Sequence, residues 1–308
     1  MKQQKQRKAL PVFARMLRQT FVELNRNDPL RMAGATAFFT TFALPPILII
    51  LIQVLGLVIN PRLLSRQLFT TLSGIVGRES VQQIVDTLIA FRQMAQNWAI
   101  TIGGFLFLMF VATTLFKIIK GSINQLWKMK VVERRGFWKG LRSRGKSILV
   151  ILFAGVLFII GVIAEGAQAY MGQYISELSP ALGRYFNSLL SYLLSIVIVT
   201  IWFAIVFRYL PDGRPLWKVA FVGGLLTSIL FNIGKFVLRW LLTYSNINNV
   251  YGASGSIVLL LLFVFYASLI LYFGAMFTKV WAMHHQMPIR PRHYAMHYHL
   301  TRINADED

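Results

Sequence analysis

Glu165, Lys235 and Arg239 are ionisable residues set inside long apolar runs of the sequence. A charge within a run of membrane length is expensive and has to face a cavity, a partner or the interface, so each is a functional candidate by default. Lys235 and Arg239 are four residues apart and share a helix face. Counted from Lys146 and Lys218 at the α-helical rise, Glu165 lies ~28 Å, Lys235 ~25 Å and Arg239 ~31 Å along their runs, near the far edge of a hydrocarbon core ~30 Å thick. Matched depth makes Glu165 the natural bridge between the two bases. Ala220, Gly224, Ser228 and Asn232 precede Lys235 on its face, small residues first and polar ones later, so a neighbouring backbone can approach one half while the other becomes polar. One reading is an outward-opening cavity lined by Asn232, Lys235, Arg239 and Glu165, suited to an anionic or amphiphilic solute. The other is a structural salt bridge whose long side chains snorkel to the interface; none of the three lies at the bilayer centre, which favours it.

Three further groups could do chemistry. Lys128, Lys130, Arg134, Arg135 and Lys139 open a dense basic loop that continues through Arg142, Arg144 and Lys146. In a membrane protein such a loop sets topology and touches anionic lipid, with recognition of an anionic substrate headgroup as the alternative. Pro45 and Pro46 interrupt an apolar run and are broken-helix candidates that could expose carbonyls to a solute, or simple packing kinks. All 5 histidines fall near the C-terminus. His293, His297 and His299 have spacings that could hold a metal, but no carboxylate is near them before Asp306 and an interfacial tail fits better. No metal and no cofactor is expected. The chain has no cysteine, which excludes thiolate chemistry. It also has no Walker A, G-x-S-x-G or H-E-x-x-H motif, so the expectation is a protein that is not an enzyme.

These residues need elements to hold them. The chain has 308 residues, 56% of them hydrophobic, and 32 Lys+Arg against 11 Asp+Glu give a net charge of +21. The apolar content points to an all-α polytopic membrane protein of about six transmembrane helices with additional interfacial helices and both termini cytoplasmic. The expected spans are about 33–59, 98–119, 147–169, 189–207, 217–242 and 255–281, within a membrane domain at 32–282. Residues 1–31 read as a basic amphipathic cytoplasmic segment, with Phe13, Met16, Leu17, Phe21 and Leu24 at helical spacing, suited to the inner membrane surface or a partner helix. Residues 283–308 read as a His-containing cytoplasmic tail. Asp28-Pro29 and Asn60-Pro61 are helix starts. Between 60 and 97 two amphipathic helices, broken at Gly74 and Gly77, are expected to lie on or dip into the outer face. Arg208-Tyr-Leu-Pro-Asp-Gly-Arg214 is a tight turn between spans four and five. With both termini inside, the basic residues concentrate in the inner loops. Membrane lipids are the expected partners, and nucleic acid is not.

Several stretches together resemble the YihY/BrkB family of bacterial inner-membrane proteins, over about residues 20–282. They are Ala35-Thr-Ala-Phe-Phe with Ala43-Leu-Pro-Pro, Arg134-Arg-Gly-Phe-Trp138, Arg208-Tyr-Leu-Pro-Asp212, and Tyr251-Gly-Ala-Ser-Gly-Ser256 leading to Phe273-Gly-Ala-Met-Phe-Thr278. The resemblance implies a protein of about six spans for which transport, including export of a lipid or envelope component, is proposed. The family commonly carries Glu where this chain has Met276. Its former label as a tRNA-processing ribonuclease finds little support here, because the cytoplasmic acids Glu23, Asp28, Glu133 and Asp212 are scattered along the chain. The expectation is therefore a permease-like or lipid-handling transporter of the inner membrane, with a non-transporting scaffold for partners or anionic lipid as the alternative.

Overall fold

The computed structural model describes residues 2–55, 60–94, 98–132, 180–244 and 255–298, with scattered positions between 153 and 164. Its helices are α1 (Lys2–Asn25), α2 (Pro29–Leu55), α3 (Pro61–Val76), α4 (Arg78–Met94), α5 (Trp98–Leu126), α6 (Pro180–Tyr209), α7 (Trp217–Tyr244) and α8 (Gly255–His284). Four short strands complete the described fold: β1 (Met129–Val131), β2 (Gly213–Arg214), β3 (Arg290–Pro291) and β4 (Ala295–His297).

Local chemistry explains the boundaries. Asp28 adopts φ 52°, the left-handed turn that ends α1, and Pro29 starts α2. The Asn60 side chain accepts a hydrogen bond from the Arg62 N–H at 3.0 Å with Pro61 in the first turn, a full N-cap. Only one of the two glycines expected to break the next helix does so: Gly74 stays helical in α3, whereas Gly77 sits at φ 89°, where a side chain would be strained. Helix α2 continues unbroken through Pro45 and Pro46. The prolines therefore remove N–H donors without unwinding the helix, as happens where neighbouring helices support the backbone.

Among the described residues, Leu189–Tyr209, Trp217–Leu238 and Ile257–His284 are long and apolar enough to cross a membrane. Their outward faces stay apolar, with Leu193 and Val197 on α6 and Leu225, Ile229, Ile233 and Phe236 on α7 exposed. In water such a surface would aggregate; in a bilayer it is the lipid contact. Because lipid is as apolar as leucine, the helices must be held together by close approach and hydrogen bonds. Helix α7 uses glycine on two sides. A Cβ at Gly224 would stand 2.7 Å from the Thr200 carbonyl and 2.9 Å from the Ala204 N–H of α6, while Gly223 and Gly234 abut Thr278 and Tyr266 of α8. Helix α8 returns the fit, its Gly274 lying against Thr227.

Helix α1 docks part of its apolar face on α8. Met16 is buried with Phe277 and Val280, Phe13 meets the Phe277 ring edge-on, and Glu23 pairs with Lys279 at 3.6 Å. Phe21, Arg15 and Arg18 remain exposed. Beyond α8 the chain folds back: β3 pairs antiparallel with β2, and β4 with β1.

A methyl group at Gly224 would collide with backbone rather than with a flexible side chain. Gly224→Ala should destabilise the protein by about 1–3 kcal/mol, read as a fall in thermal midpoint in detergent. Gly121→Ala, on a part of α5 where a Cβ meets nothing within 4 Å, should be neutral or slightly stabilising.

Candidate functional site

The face of α7 running through Ala220, Gly224, Ser228, Asn232 and Lys235 is laid against α6. Ser228 Oγ donates to the Ile196 carbonyl at 2.9 Å, Asn232 Nδ2 donates to the Ser228 carbonyl at 2.9 Å, and Asn232 Oδ1 accepts from Ser195 Oγ at 3.0 Å. Lys235 Nζ donates to the same Ser195 Oγ at 3.1 Å and lies 5.6 Å from the Phe231 ring centroid. Lower in the seam Thr200 Oγ1 is buried, and among the described residues it has no hydrogen-bond partner. Asn232 and Lys235, expected on one face, both meet Ser195, a residue that the sequence did not single out. Counting back from Arg208 along α6 puts that hydroxyl ~20 Å up, near the depth of Lys235, and this was the available signal. Arg239 lies one turn beyond Lys235 on α7. Glu165, and with it the bridge to the two bases, falls outside the described residues.

A second polar cluster sits at the opposite end of the same helices, where sequence reasoning saw only a turn. Asp212, in the loop between α6 and β2, is 1% exposed in its side chain. Its Oδ1 takes Lys120 Nζ of α5 at 2.6 Å and the Tyr294 hydroxyl at 3.0 Å; its Oδ2 takes Asn124 Nδ2 at 2.7 Å. The Asp212 N–H donates to Asn124 Oδ1 at 2.9 Å, and its carbonyl accepts from the Arg292 N–H at 2.9 Å. The Arg292 guanidinium in turn donates to the Tyr209 carbonyl at 2.9 Å. Burial alone would raise the Asp212 carboxyl, but Lys120, Asn124 and Tyr294 together outweigh it and hold the group below its ordinary value. Burial, reinforced by that carboxylate, pushes the Tyr294 hydroxyl up. One residue thereby ties together the ends of α5 and α6 and the C-terminal segment. The sequence signal was the Pro-Asp-Gly turn itself: an acid between Arg208 and Arg214.

Around this junction the packing is dense. Trp127 is 1% exposed, with its indole N–H donating to the Ala275 carbonyl at 2.8 Å, and Lys279 Nζ donates to the Leu126 carbonyl at 2.9 Å. Met276 is fully buried in the same apolar cluster as Tyr272 and Phe207. Position 276 is thus a thioether among hydrocarbon neighbours. Lys128 and Lys130 are exposed at β1, Lys128 in the left-handed region at φ 53°; Arg134, Arg135 and Lys139 fall outside the described residues. His285 stacks on Trp281, and the His297 ring hydrogen-bonds the Ile289 carbonyl. Among the described residues no group of three or more His, Cys, Asp and Glu side chains comes together as a metal site.

A mostly helical fold with three helices of membrane length and apolar outward faces is that of a membrane protein. Within that class the chain belongs to the BrkB virulence-factor family, whose model matches residues 20–297. Its relatives include UPF0761 membrane proteins of three bacteria. That of Saccharophagus degradans is 25% identical over 82% of this chain, that of Verminephrobacter eiseniae 26% over 84%, and that of Mannheimia succiniciproducens 22% over 84%. The chain spans 56% and 60% of the length of the first two relatives and 87% of the third. No solved structure matches it.

Removing one partner of a buried ion pair costs about 3–5 kcal/mol, because the other charge is left uncompensated. Asp212→Ala should lower the thermal midpoint accordingly, and Lys120→Met in the same background should recover part of the loss. The pH dependence follows from the sign of the shift. A carboxyl held below its ordinary value stabilises fully above pH ~3.9 and loses that contribution as pH falls through the folded value. The parent protein should therefore lose midpoint below about pH 4 more steeply than Asp212→Asn.

Proposed function

We propose that the chain is a six-span protein of a bacterial inner membrane, with both termini in the cytoplasm, that works as a transporter or permease-like protein for a lipid, another anionic amphiphile or an envelope component. It performs no enzymatic step and needs no cofactor. The spans are those expected from the sequence, with 1–31 and 283–308 on the cytoplasmic side. The orientation is supported by the basic stretches at the N-terminus, between 128 and 146, and after 290. Lys128, Lys130, Arg134, Arg135 and Lys139 would then face the anionic lipid of the inner leaflet.

The observation that carries the transport reading is the seam of α6 and α7. Two membrane-length helices direct Ser195, Ser228, Asn232 and Lys235 at one another instead of covering that depth with hydrocarbon. A cation held there by the Ser195 hydroxyl is a ready counter-charge for an anionic headgroup, with Arg239 one turn further along the same helix. The scaffold reading has its own support in the Asp212 junction, which binds loops and C-terminus rigidly and presents basic residues beside it.

Reconstitution into liposomes with a fluorescent anionic phospholipid separates the two. Transport predicts movement above empty liposomes. Because hydrogen bonds to charged groups contribute about 1.5–3 kcal/mol, Lys235→Met should slow it by roughly tenfold or more. Protein-containing and empty liposomes that give the same rate reject transport and leave the scaffold.

A further inference from the structure

We propose that α3 and α4 form a re-entrant hairpin whose polar flank lines a water-filled, electropositive vestibule open to the outer side of the membrane. The inference rests on the orientation proposed above and goes beyond it by giving the outer half of the bundle an aqueous surface. Both helices are amphipathic, and their apolar faces go deep. Leu64 and Leu68 of α3 cluster with Leu51 of α2, and Ile47 and Phe116 pack on them. Further along, Phe69 and Leu72 of α3 join Val81, Ile84 and Val85 of α4 in one cluster with Leu44 and Leu48 of α2 and Leu260 and Val264 of α8. Along the helix axes Leu44 lies ~20 Å from Arg31 and Val264 ~22 Å from Lys279, which in a core ~30 Å thick is well below the outer edge.

The order of contacts gives direction. Helix α3 meets Leu51 first and Leu44 later, so it descends from Pro61, turns at Gly77 and returns as α4. The hairpin touches α2, α5, α7 and α8, so it sits among the spans. Its other flank is polar and exposed: Arg62, Arg66, Thr70 and Thr71 on α3, and Arg78, Gln82 and Asp86 on α4. Hydrocarbon cannot cover such a flank at that depth, so water must. The segment carries Arg62, Arg66, Arg78 and Arg92 against Glu79 and Asp86, which favours an anionic solute.

The absence of native cysteine makes single introduced thiols unambiguous. In right-side-out vesicles containing the full chain, a small membrane-impermeant maleimide should label both Arg62→Cys at the mouth and Thr70→Cys ~12 Å deeper. A bulky polymer-linked maleimide should label Arg62→Cys and leave Thr70→Cys unmodified over the same time. At Thr70→Cys an anionic thiol reagent should outpace a cationic one by roughly tenfold. Equal polymer labelling at both positions would mean a hairpin lying flat on the surface and overturns the proposal, as does a Thr70→Cys that neither maleimide reaches. Met296→Cys, on β4, reports orientation separately and should be labelled only after the inner face is opened. If it is labelled from outside, the orientation falls, and the contrast between positions 62 and 70, read from whichever face labels them, still decides the vestibule.

Discussion

The structure depends most on one buried carboxylate. Asp212 is a charge withdrawn from water, and such a group is tolerable only when its lone pairs are satisfied by cations and hydrogen-bond donors. Its partners come from two parts of the chain far from its own loop: Lys120 and Asn124 from α5, and Tyr294 and the Arg292 N–H from the C-terminal segment. Satisfying Asp212 therefore fixes the relative positions of three segments at once. The two short ladders, β1 with β4 and β2 with β3, are too small to be stable alone. They form because the same polar junction has already brought their strands together.

Away from that end the bundle is held by different means. Between α6, α7 and α8 the helices approach through Gly224, which faces α6 backbone, and through Gly223, Gly234 and Gly274, which face threonine or tyrosine side chains. This suits a lipid solvent, in which apolar burial does little to bring helices together and contact distance does more. The Ser195–Asn232–Lys235 seam belongs to the same interface. It places polarity between helices whose remaining faces are apolar, and the functional proposal builds on that contrast. Met276 shows the opposite choice: it is buried in one apolar cluster with Tyr272, Phe207 and Trp127.

Much of this was legible from residues alone. Asn60-Pro61 caps a helix, Pro29 begins one, Gly77 ends one, and the face from Ala220 to Lys235 is a contact face. Each rests on covalent geometry or helical periodicity, and neither needs knowledge of the partner. The reading stopped short where the outcome depended on what arrived from elsewhere in the chain. Pro45 and Pro46 left a broken helix and a packing kink both open, and α2 stays helical through them. The N-terminal helix suited a membrane surface or a partner helix, and the sequence could not say that Met16 would meet Phe277 and Val280 of α8. Asp212 was passed over as one of several scattered acids because its partners lie about eighty residues away on both sides.

The sequence by itself determined the helical class, most helix limits, the membrane character and the polar face of α7, because chain stiffness, capping and apolar run length are local properties. Only the tertiary structure decided what that face meets, where α1 docks and which acid matters. Those outcomes turn on distance in space: a hydroxyl at 195 reaches a lysine at 235, and a carboxylate at 212 gathers residues from 120 to 294. Periodicity tells which way a side chain points along its own helix. It carries no information about what waits there.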